Sequence, residues 1–338
     1  EKLKYIGYLE RIISYRALAR EIKNMLRILH PLRSEEHEAE ILSFLQNPLL
    51  ADQGQAQTII AQSLYYECKN MLNMAMLDYE QVKIDAKEAV LFLEKDKDRS
   101  PVYYKTLVAN LVTGLLACAK SKDEVLFKEL AGKYDVFQKE VLAAKKVGKH
   151  FEVLMEKLYY NFQLHYWMEM EDFETVMEIE PTVMAFWKQQ QSYLDSDWRM
   201  TVGFFFAQAF FFSKNLDKAQ AWVDILLEEE RNNPKIPCIC NARILNLMIQ
   251  YEKKNFFLLY SLFFSTKRYL NKNERIFKGE RVILNFFKWV GENDEAPNLP
   301  DKFVKLSQKL RVLGTNKYEK NFFEEMKLGR WLQEKEQK

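Results

Sequence analysis

Glycine and proline are scarce in this sequence, which has only 10 glycines and 8 prolines among 338 residues. Phosphate-binding loops, β-hairpins and strand-rich folds all depend on glycine, because their tight turns need backbone conformations that other residues avoid. Leucine, lysine, glutamate and alanine, which favour helix, are common instead. The composition therefore predicts an all-α protein.

Residue types that bind metals are also few, with four cysteines and four histidines. Cys238 and Cys240 form one close pair, but they lack the second pair or the histidine partners of a zinc site. No histidine belongs to a His-Glu-x-x-His helix. We therefore expect free thiols in a reducing compartment, no metal and no cofactor. The remaining residues of these types are Cys68, Cys118, His30, His37, His150 and His165.

The sequence has no recognisable catalytic signature. It lacks a Gly-rich phosphate loop, a dinucleotide fingerprint and a Gly-x-Ser-x-Gly nucleophile turn. Acidic clusters at 169–172 and 228–230 are typical of solvated charge at helix ends. We expect that the protein is not an enzyme. This expectation rests on the absence of motifs alone, and catalytic groups can also assemble from positions that are distant in the sequence.

The formal charge is +2, from 50 basic and 48 acidic residues. A nucleic-acid-binding protein usually carries a marked basic excess, so nucleic acid is not the expected partner. Residues 1–33 are an exception, with eight basic and three acidic side chains. That segment fits contact with an acidic partner, but the simpler interpretation is the solvated face of an amphipathic helix.

Long apolar runs are missing too. The longest, at 202–212 and 256–264, are interrupted by Gln208 and Ser261 and are far shorter than the roughly 18–20 residues of a membrane span. No signal peptide begins the sequence, although it starts with Glu1 and not with Met. We expect no transmembrane segment and a cytoplasmic location.

Apolar residues recur every three or four positions over 2–29, which predicts one long or once-broken amphipathic helix. Pro31 is expected to end it, because proline cannot continue a helix. Ser34 predicts the start of a short second helix that reaches about Asn47-Pro48. Residues 1–50 are thus predicted to form separate N-terminal helices.

From residue 57 to 290 one pattern recurs at intervals of roughly 40–50 residues. An apolar, aromatic-rich helix ends in a short polar turn, and a second amphipathic helix follows. The turns lie at 77–80, 120–123, 170–173, 214–217 and 253–256. This pattern predicts helical hairpins.

These turns resemble the tetratricopeptide signature, in which a small polar residue precedes an aromatic residue and small residues follow on the second helix. The matching segments are Asp78-Tyr79 with Ala86, Asp172-Phe173 with Val176, Asn215-Leu216 with Ala219, and Asn255-Phe256 with Leu259. Gly114 and Ala207 match the small residue that the family places on first helices. Asn70, Leu164 and Leu247 depart from it, and Pro101 and Pro234 correspond only loosely to the family's proline after the second helix.

The whole chain also resembles a group of bacterial tetratricopeptide-like proteins to which no activity is assigned, and the segment 204–289 carries most of this resemblance. The resemblance implies a right-handed α-solenoid of degenerate helical hairpins, in one continuous array. It also implies that Trp222, beside Ala219, is buried between hairpins.

After the repeats, the sequence predicts a helix over 274–290 and a loop over 291–300, rich in Asn, Pro and acidic residues. Two amphipathic helices follow, near 301–313 and 317–336. Residues 301–338 would then form the capping helices that an open stack of repeats needs at its end.

First helices line the concave face of such an array, so the residues on them that face into the groove are candidates for ligand contact. Amide side chains both donate and accept hydrogen bonds and can hold a peptide backbone, while aromatics take its side chains. The candidates are Asn161, His165, Phe204, Gln208, Phe211, Asn241 and Tyr251. Because 204–212 is apolar nearly all round, core packing is the favoured alternative for Phe204 and Phe211.

Fold and missing chemistry together lead to two hypotheses. The first is a non-enzymatic scaffold that binds a protein or a peptide on the concave face. The second is a peptide-sensing regulator whose DNA-binding or other effector segment lies upstream of residue 1.

Overall fold

The computed structural model describes residues 2–29, 32–95, 101–144, 148–229, 236–293 and 299–336. Every regular element in these ranges is a helix, so the described part of the chain is all-helical, as its composition predicts. The chain divides into two compact units, Glu1–Met170 and Glu171–Lys338.

The described part of the first unit contains eight α-helices and a short 3₁₀ turn at Gln53–Gln55. The helices are α1 (Lys2–Leu29), α2 (Glu35–Leu45), α3 (Pro48–Ala51), α4 (Ile59–Ala75), α5 (Tyr79–Glu94), α6 (Pro101–Ser121), α7 (Glu124–Ala144) and α8 (Lys149–Glu169).

The described part of the second unit contains nine α-helices and a 3₁₀ turn at Gln191–Tyr193. The helices are α9 (Phe173–Gln189), α10 (Ser196–Phe212), α11 (Leu216–Glu229), α12 (Ile236–Glu252), α13 (Phe256–Lys272), α14 (Lys278–Glu292), α15 (Leu299–Gly314), α16 (Lys317–Glu325) and α17 (Leu328–Glu336).

All five predicted hairpin turns contain a residue in the left-handed conformation. Their φ angles lie between 56° and 63°, at Leu77, Lys122, Glu171, Lys214 and Lys254. At four of them the next N–H donates to the carbonyl five residues back at 2.9 Å, which is the Schellman helix ending. Those bonds join Asp78 to Asn73, Asp123 to Cys118, Asn215 to Phe210 and Asn255 to Gln250.

The small polar residue of each turn is the N-cap of the following helix. Its side-chain oxygen accepts a hydrogen bond from the N–H three residues on, at 3.1 to 3.4 Å. The caps are Asp78, Asp123, Asp172, Asn215 and Asn255. Asp and Asn stand here because a short side-chain acceptor satisfies a helix N-terminal donor that has no partner within the helix. The predicted turns are therefore confirmed at all five positions.

Within each unit successive hairpins pack together through the second helix of one and the first helix of the next, and also through their first helices. In the first unit α4 pairs with α5 and α6 with α7, while α6 contacts both α4 and α8. In the second unit α10 pairs with α11 and α12 with α13, while α12 contacts both α10 and α14. Each unit thus repeats one hairpin arrangement.

Two positions show why side-chain size matters at these contacts. A Cβ on Gly114 would lie 2.9 Å from Leu130 Cδ1 and 3.1 Å from Ala86 Cβ, so a larger residue would require Leu130 and Ala86 to shift where α6 meets α7 and α5. Trp222 is buried, and its Nε1 donates to Glu180 Oε1 at 3.1 Å. Its ring packs 5.0 Å from that of Phe206 in its own hairpin and 6.0 Å from that of Trp187 on α9, in the preceding hairpin, which confirms the predicted burial between hairpins.

The N-terminal prediction agrees with the structure where the two can be compared. Helix α1 spans the predicted 2–29, and Ser34 caps α2 by accepting from the His37 N–H at 3.2 Å. Pro31 and Pro234 lie outside the described residues, and α6 begins at Pro101. Helix α1 packs on α4, with Tyr15 fully buried.

The C-terminal prediction is wrong in one respect. Residues 317–336 do not form a single helix, because the chain turns at Lys327, with φ 49°, and separates α16 from α17. The predicted helix at 274–290 is α14, which begins four residues later because Glu274, with φ 56°, belongs to the turn after α13. Helix α15 covers the predicted 301–313. The predicted loop at 291–300 is described only at its ends, because 294–298 lie outside the described residues.

Candidate functional site

The first helices carry the seven candidate residues, divided between the two units. Asn161 and His165 lie on α8 in the first unit, whereas the other five lie on α10 and α12 in the second. In the second unit, the faces of α10 and α12 that carry Gln208, Asn241, Tyr251 and Glu252 are called here the first-helix face. Helices α16 and α17 lie on it.

Gln208 holds the end of α16. Its Nε2 donates to the backbone carbonyl of Glu325, the last residue of that helix, at 2.7 Å. The last carbonyls of a helix have no donor within the helix, and a side-chain amide is a suitable replacement. Because Gln208 is almost completely buried, water cannot readily take its place. The predicted contact of an amide with a polypeptide backbone exists, but the backbone belongs to the chain itself.

Asn241 and Glu252 extend this contact along α12. Asn241 Nδ2 donates to Glu325 Oε2 at 3.1 Å. Glu252 accepts from Trp331 Nε1 at 2.8 Å and from Lys335 Nζ at 2.7 Å, both on α17. Gln208, Asn241 and Glu252 therefore hold the α16–α17 pair at three of its residues. They contact the backbone carbonyl and the side chain of Glu325, and the side chains of Trp331 and Lys335.

Tyr251 belongs to an aromatic cluster that joins α12, α14, α15 and α17. Its ring meets that of Trp331 edge to face at 5.9 Å, and that of Phe286 at 5.5 Å. Trp331 is fully buried and also packs against Phe303 at 5.4 Å. Burial, reinforced by the charge of Glu252, raises the pKa of Tyr251 to about 12. Tyr251 is thus a partly buried member of this cluster and not an open aromatic contact.

Glu319 on α16 completes the start of α14, whose N-cap residue provides no side-chain acceptor. Its two carboxylate oxygens accept from the Lys278 and Gly279 N–H groups at 3.2 and 2.9 Å. A Cβ on Gly279 would lie 2.8 Å from the Phe322 ring, so glycine permits this close contact. A carboxylate at a helix N-terminus is favourable because it faces the positive end of the helix dipole.

Charge pairs fix the far end of α17. Glu334 accepts hydrogen bonds from Lys214, in the α10–α11 turn, and from Arg330 Nε at 2.9 Å. Burial by itself would raise the pKa of Glu334, but these two cations hold it below its usual value. Arg330 also lies 3.5 Å from Glu171. The α16–α17 pair is therefore bound by hydrogen bonds, aromatic packing and ion pairs together.

Phe204 and Phe211 are buried, in agreement with the favoured alternative for these two residues. Phe211 meets Phe212 edge to face at 5.1 Å, and Lys214 Nζ lies 5.9 Å from the centre of its ring. Neither ring is available to a ligand in this structure.

Asn161 and His165 differ from the five candidates of the second unit. Both are half-buried on α8. His165 interacts with other groups, but the Asn161 side chain makes no hydrogen bond within the described part of the chain. Asn161 is thus the candidate whose amide remains available.

Glu252 and Trp331 were not among the predicted contact residues. A signal for Glu252 was present, since it lies eleven residues after Asn241, and eleven residues make about three helical turns. The two side chains therefore share one face of α12. Trp331 had no such signal, because its partner lies 79 positions away in the sequence.

The four cysteines are free and buried. Cys238 donates to the Met200 carbonyl at 3.4 Å. Burial raises the pKa of Cys68, Cys118 and Cys240 to about 12, so these thiols are poor nucleophiles. Among the described residues, no group of His, Cys, Asp or Glu side chains has the arrangement of a metal site.

Compared with known proteins, the chain matches no family model, no curated protein and no solved structure. Within the described ranges, no helix combines the length and apolarity needed to cross a bilayer.

Proposed function

We propose that this chain is a non-enzymatic scaffold that binds a protein or a peptide, built as a right-handed solenoid of tetratricopeptide-like hairpins. The proposal is supported by the repeated turns, each with a left-handed residue followed by an Asp or Asn cap. Stacked hairpins of this kind present successive first helices side by side, which suits an extended partner.

One observation carries the functional part of the proposal. The first-helix face of the second unit already holds a polypeptide segment, through the amide of Gln208, the carboxylate of Glu252 and the ring of Tyr251. In the first unit α1, α2 and α3 pack on α4, whereas α8 packs mainly on α6 among the described residues, and Asn161 on α8 has an unused amide. We therefore place the partner on the α8 surface around Asn161 and His165.

The test begins with the full chain as bait in its native cell, followed by mass spectrometry and calorimetry with each purified candidate. Asn161→Ala should weaken binding about 5- to 150-fold, the equivalent of 1–3 kcal/mol for a backbone group left without its partner. Gln163→Ala is the matched control, because Gln163 is also a half-buried amide on α8 but points in another direction around the helix.

Equal affinities for wild type, Asn161→Ala and Gln163→Ala would place the partner elsewhere and remove the support for this site. A loss of affinity accompanied by an equal loss of stability would show that Asn161 supports the fold and not the partner.

A further inference from the structure

The segment 253–273, which contains α13, is strongly basic. It has five cations, Lys253, Lys254, Lys267, Arg268 and Lys272, and no acidic residue. The remainder of the chain has nearly equal numbers of basic and acidic side chains. The overall composition of the chain therefore does not account for the concentration of positive charge in this segment.

Aromatic side chains project from the same helix. Phe257 is 91 % exposed and Phe264 is 45 % exposed. Seven residues make about two helical turns, so these rings lie on one line roughly 10 Å apart, and Arg268 continues that line one turn further. Tyr260 packs edge to face on Phe264 at 5.0 Å, which leaves Phe257 as the most prominent apolar group.

The cations of this face are largely unneutralised. Lys253 pairs with Asp217 at 2.6 Å, and Lys267 lies 5.9 Å from the centre of the Phe263 ring. Lys254, Arg268 and Lys272 are exposed and have no carboxylate partner among the described residues.

A cavity opens beside this face, between α13 and α14, with a volume of about 460 Å³. Lys267 and Arg281 line it with two positive charges, against one negative charge from Glu274. The amides of Asn271 and Asn285 add further donors. This combination of cations and donors suits a phosphate-bearing group of the size of a lipid headgroup.

We propose that the outward face of α13 binds the surface of a membrane that contains anionic phospholipids. Phe257 and Phe264 enter the boundary between headgroups and acyl chains, while Lys254, Arg268 and Lys272 contact the anionic headgroups. Helices that lie on membranes combine exposed aromatics with Lys and Arg in this way. An acidic protein would neutralise the cations as well, but it would need a groove to enclose Phe257, whereas a bilayer accepts a ring projecting from a single helix.

The test uses the full chain and vesicles of phosphatidylcholine, with or without phosphatidylserine, in a flotation assay. Binding should require phosphatidylserine and weaken as salt is added, because salt screens the attraction. The double variant Phe257→Ser/Phe264→Ser and the double variant Arg268→Glu/Lys272→Glu should each reduce partitioning at least about tenfold.

Matched controls come from the first unit. Val125→Ser/Val136→Ser replaces two apolar side chains that are 82 % and 68 % exposed on α7, and Lys87→Glu reverses an exposed cation on α5. Both controls should bind vesicles like the wild type, and circular dichroism checks that every variant is folded.

Four results would overturn the proposal. Three of them are no binding that depends on phosphatidylserine, equal binding by the phenylalanine variant and the wild type, and binding to soluble polyglutamate with the same dependence on Phe257 and Phe264. The last result would assign the face to an acidic polypeptide. Complete loss of vesicle binding when inorganic phosphate is added would also contradict the proposal. That result would indicate that the cavity binds an anion and that the phenylalanine rings do not insert into the bilayer.

Discussion

Gln208→Leu should lower the free energy of unfolding of the second unit. Replacing a residue that only contacts a binding partner would leave that free energy nearly unchanged. Leucine keeps most of the buried volume and removes only the donor to the Glu325 carbonyl, 2.7 Å away. The carbonyl ends α16, so no donor within the helix replaces the lost one. Leaving a buried acceptor without its partner costs about 1–3 kcal/mol.

Gln208→Ala should cost more than Gln208→Leu, because it adds a cavity to the lost hydrogen bond. Asn161→Ala is the comparison. Its amide is half-buried and makes no hydrogen bond among the described residues, so its effect should stay within about 0.5 kcal/mol. The order of stability is thus wild type and Asn161→Ala, then Gln208→Leu, then Gln208→Ala.

The assay is urea unfolding followed by far-ultraviolet circular dichroism. The two compact units can unfold in separate steps, so the data are fitted to one or two transitions as required. Only the transition of the second unit should move. A free-energy loss below about 0.5 kcal/mol for Gln208→Leu, with an unchanged urea dependence, would refute the inference that the end of α16 depends on this amide.

Three further predictions concern other parts of the fold. Trp222→Ala should cost about 3–5 kcal/mol in urea unfolding, because the ring is buried between hairpins; a loss below about 1 kcal/mol would contradict that packing. Lys122→Gly should stabilise the first unit by roughly 0.5–1 kcal/mol, because φ 57° strains any residue with a Cβ more than it strains glycine; a lower melting temperature would contradict this. The four buried cysteines should not react with a thiol reagent at about pH 8 until the chain is unfolded, since burial raises the pKa of three of them to about 12; rapid labelling of the native protein would be the opposite result.

The hairpin turns were predictable because their cause is local. A left-handed residue and an Asp or Asn cap occupy two adjacent positions, and the cap's acceptor reaches a donor three residues away. The turn at Lys327 gave no such signal, since Leu328 follows it and cannot cap a helix. Apolar periodicity continues through the turn, so the sequence favours one helix over 317–336. Distant contacts separate α16 from α17 instead, through Gln208 at the end of one and Glu252 on the other.

The same limitation applies to the candidate site. An Asn or Gln on a first helix provides a donor for a peptide carbonyl, and the chemistry is identical whether the carbonyl belongs to a partner or to a later part of the same chain. Gln208 and Asn161 are therefore equivalent in the sequence, yet one holds Glu325 while the other keeps a free amide. Which first helices remain open depends on where α16 and α17 pack, and that packing is determined by residues more than 80 positions away, as in the pairing of Asn241 with Glu325. In the scaffold proposed above, the binding surface is the part of the first helices that other helices of the same chain leave uncovered, and for this reason Asn161, and not Gln208, is the residue on which the partner's affinity should depend.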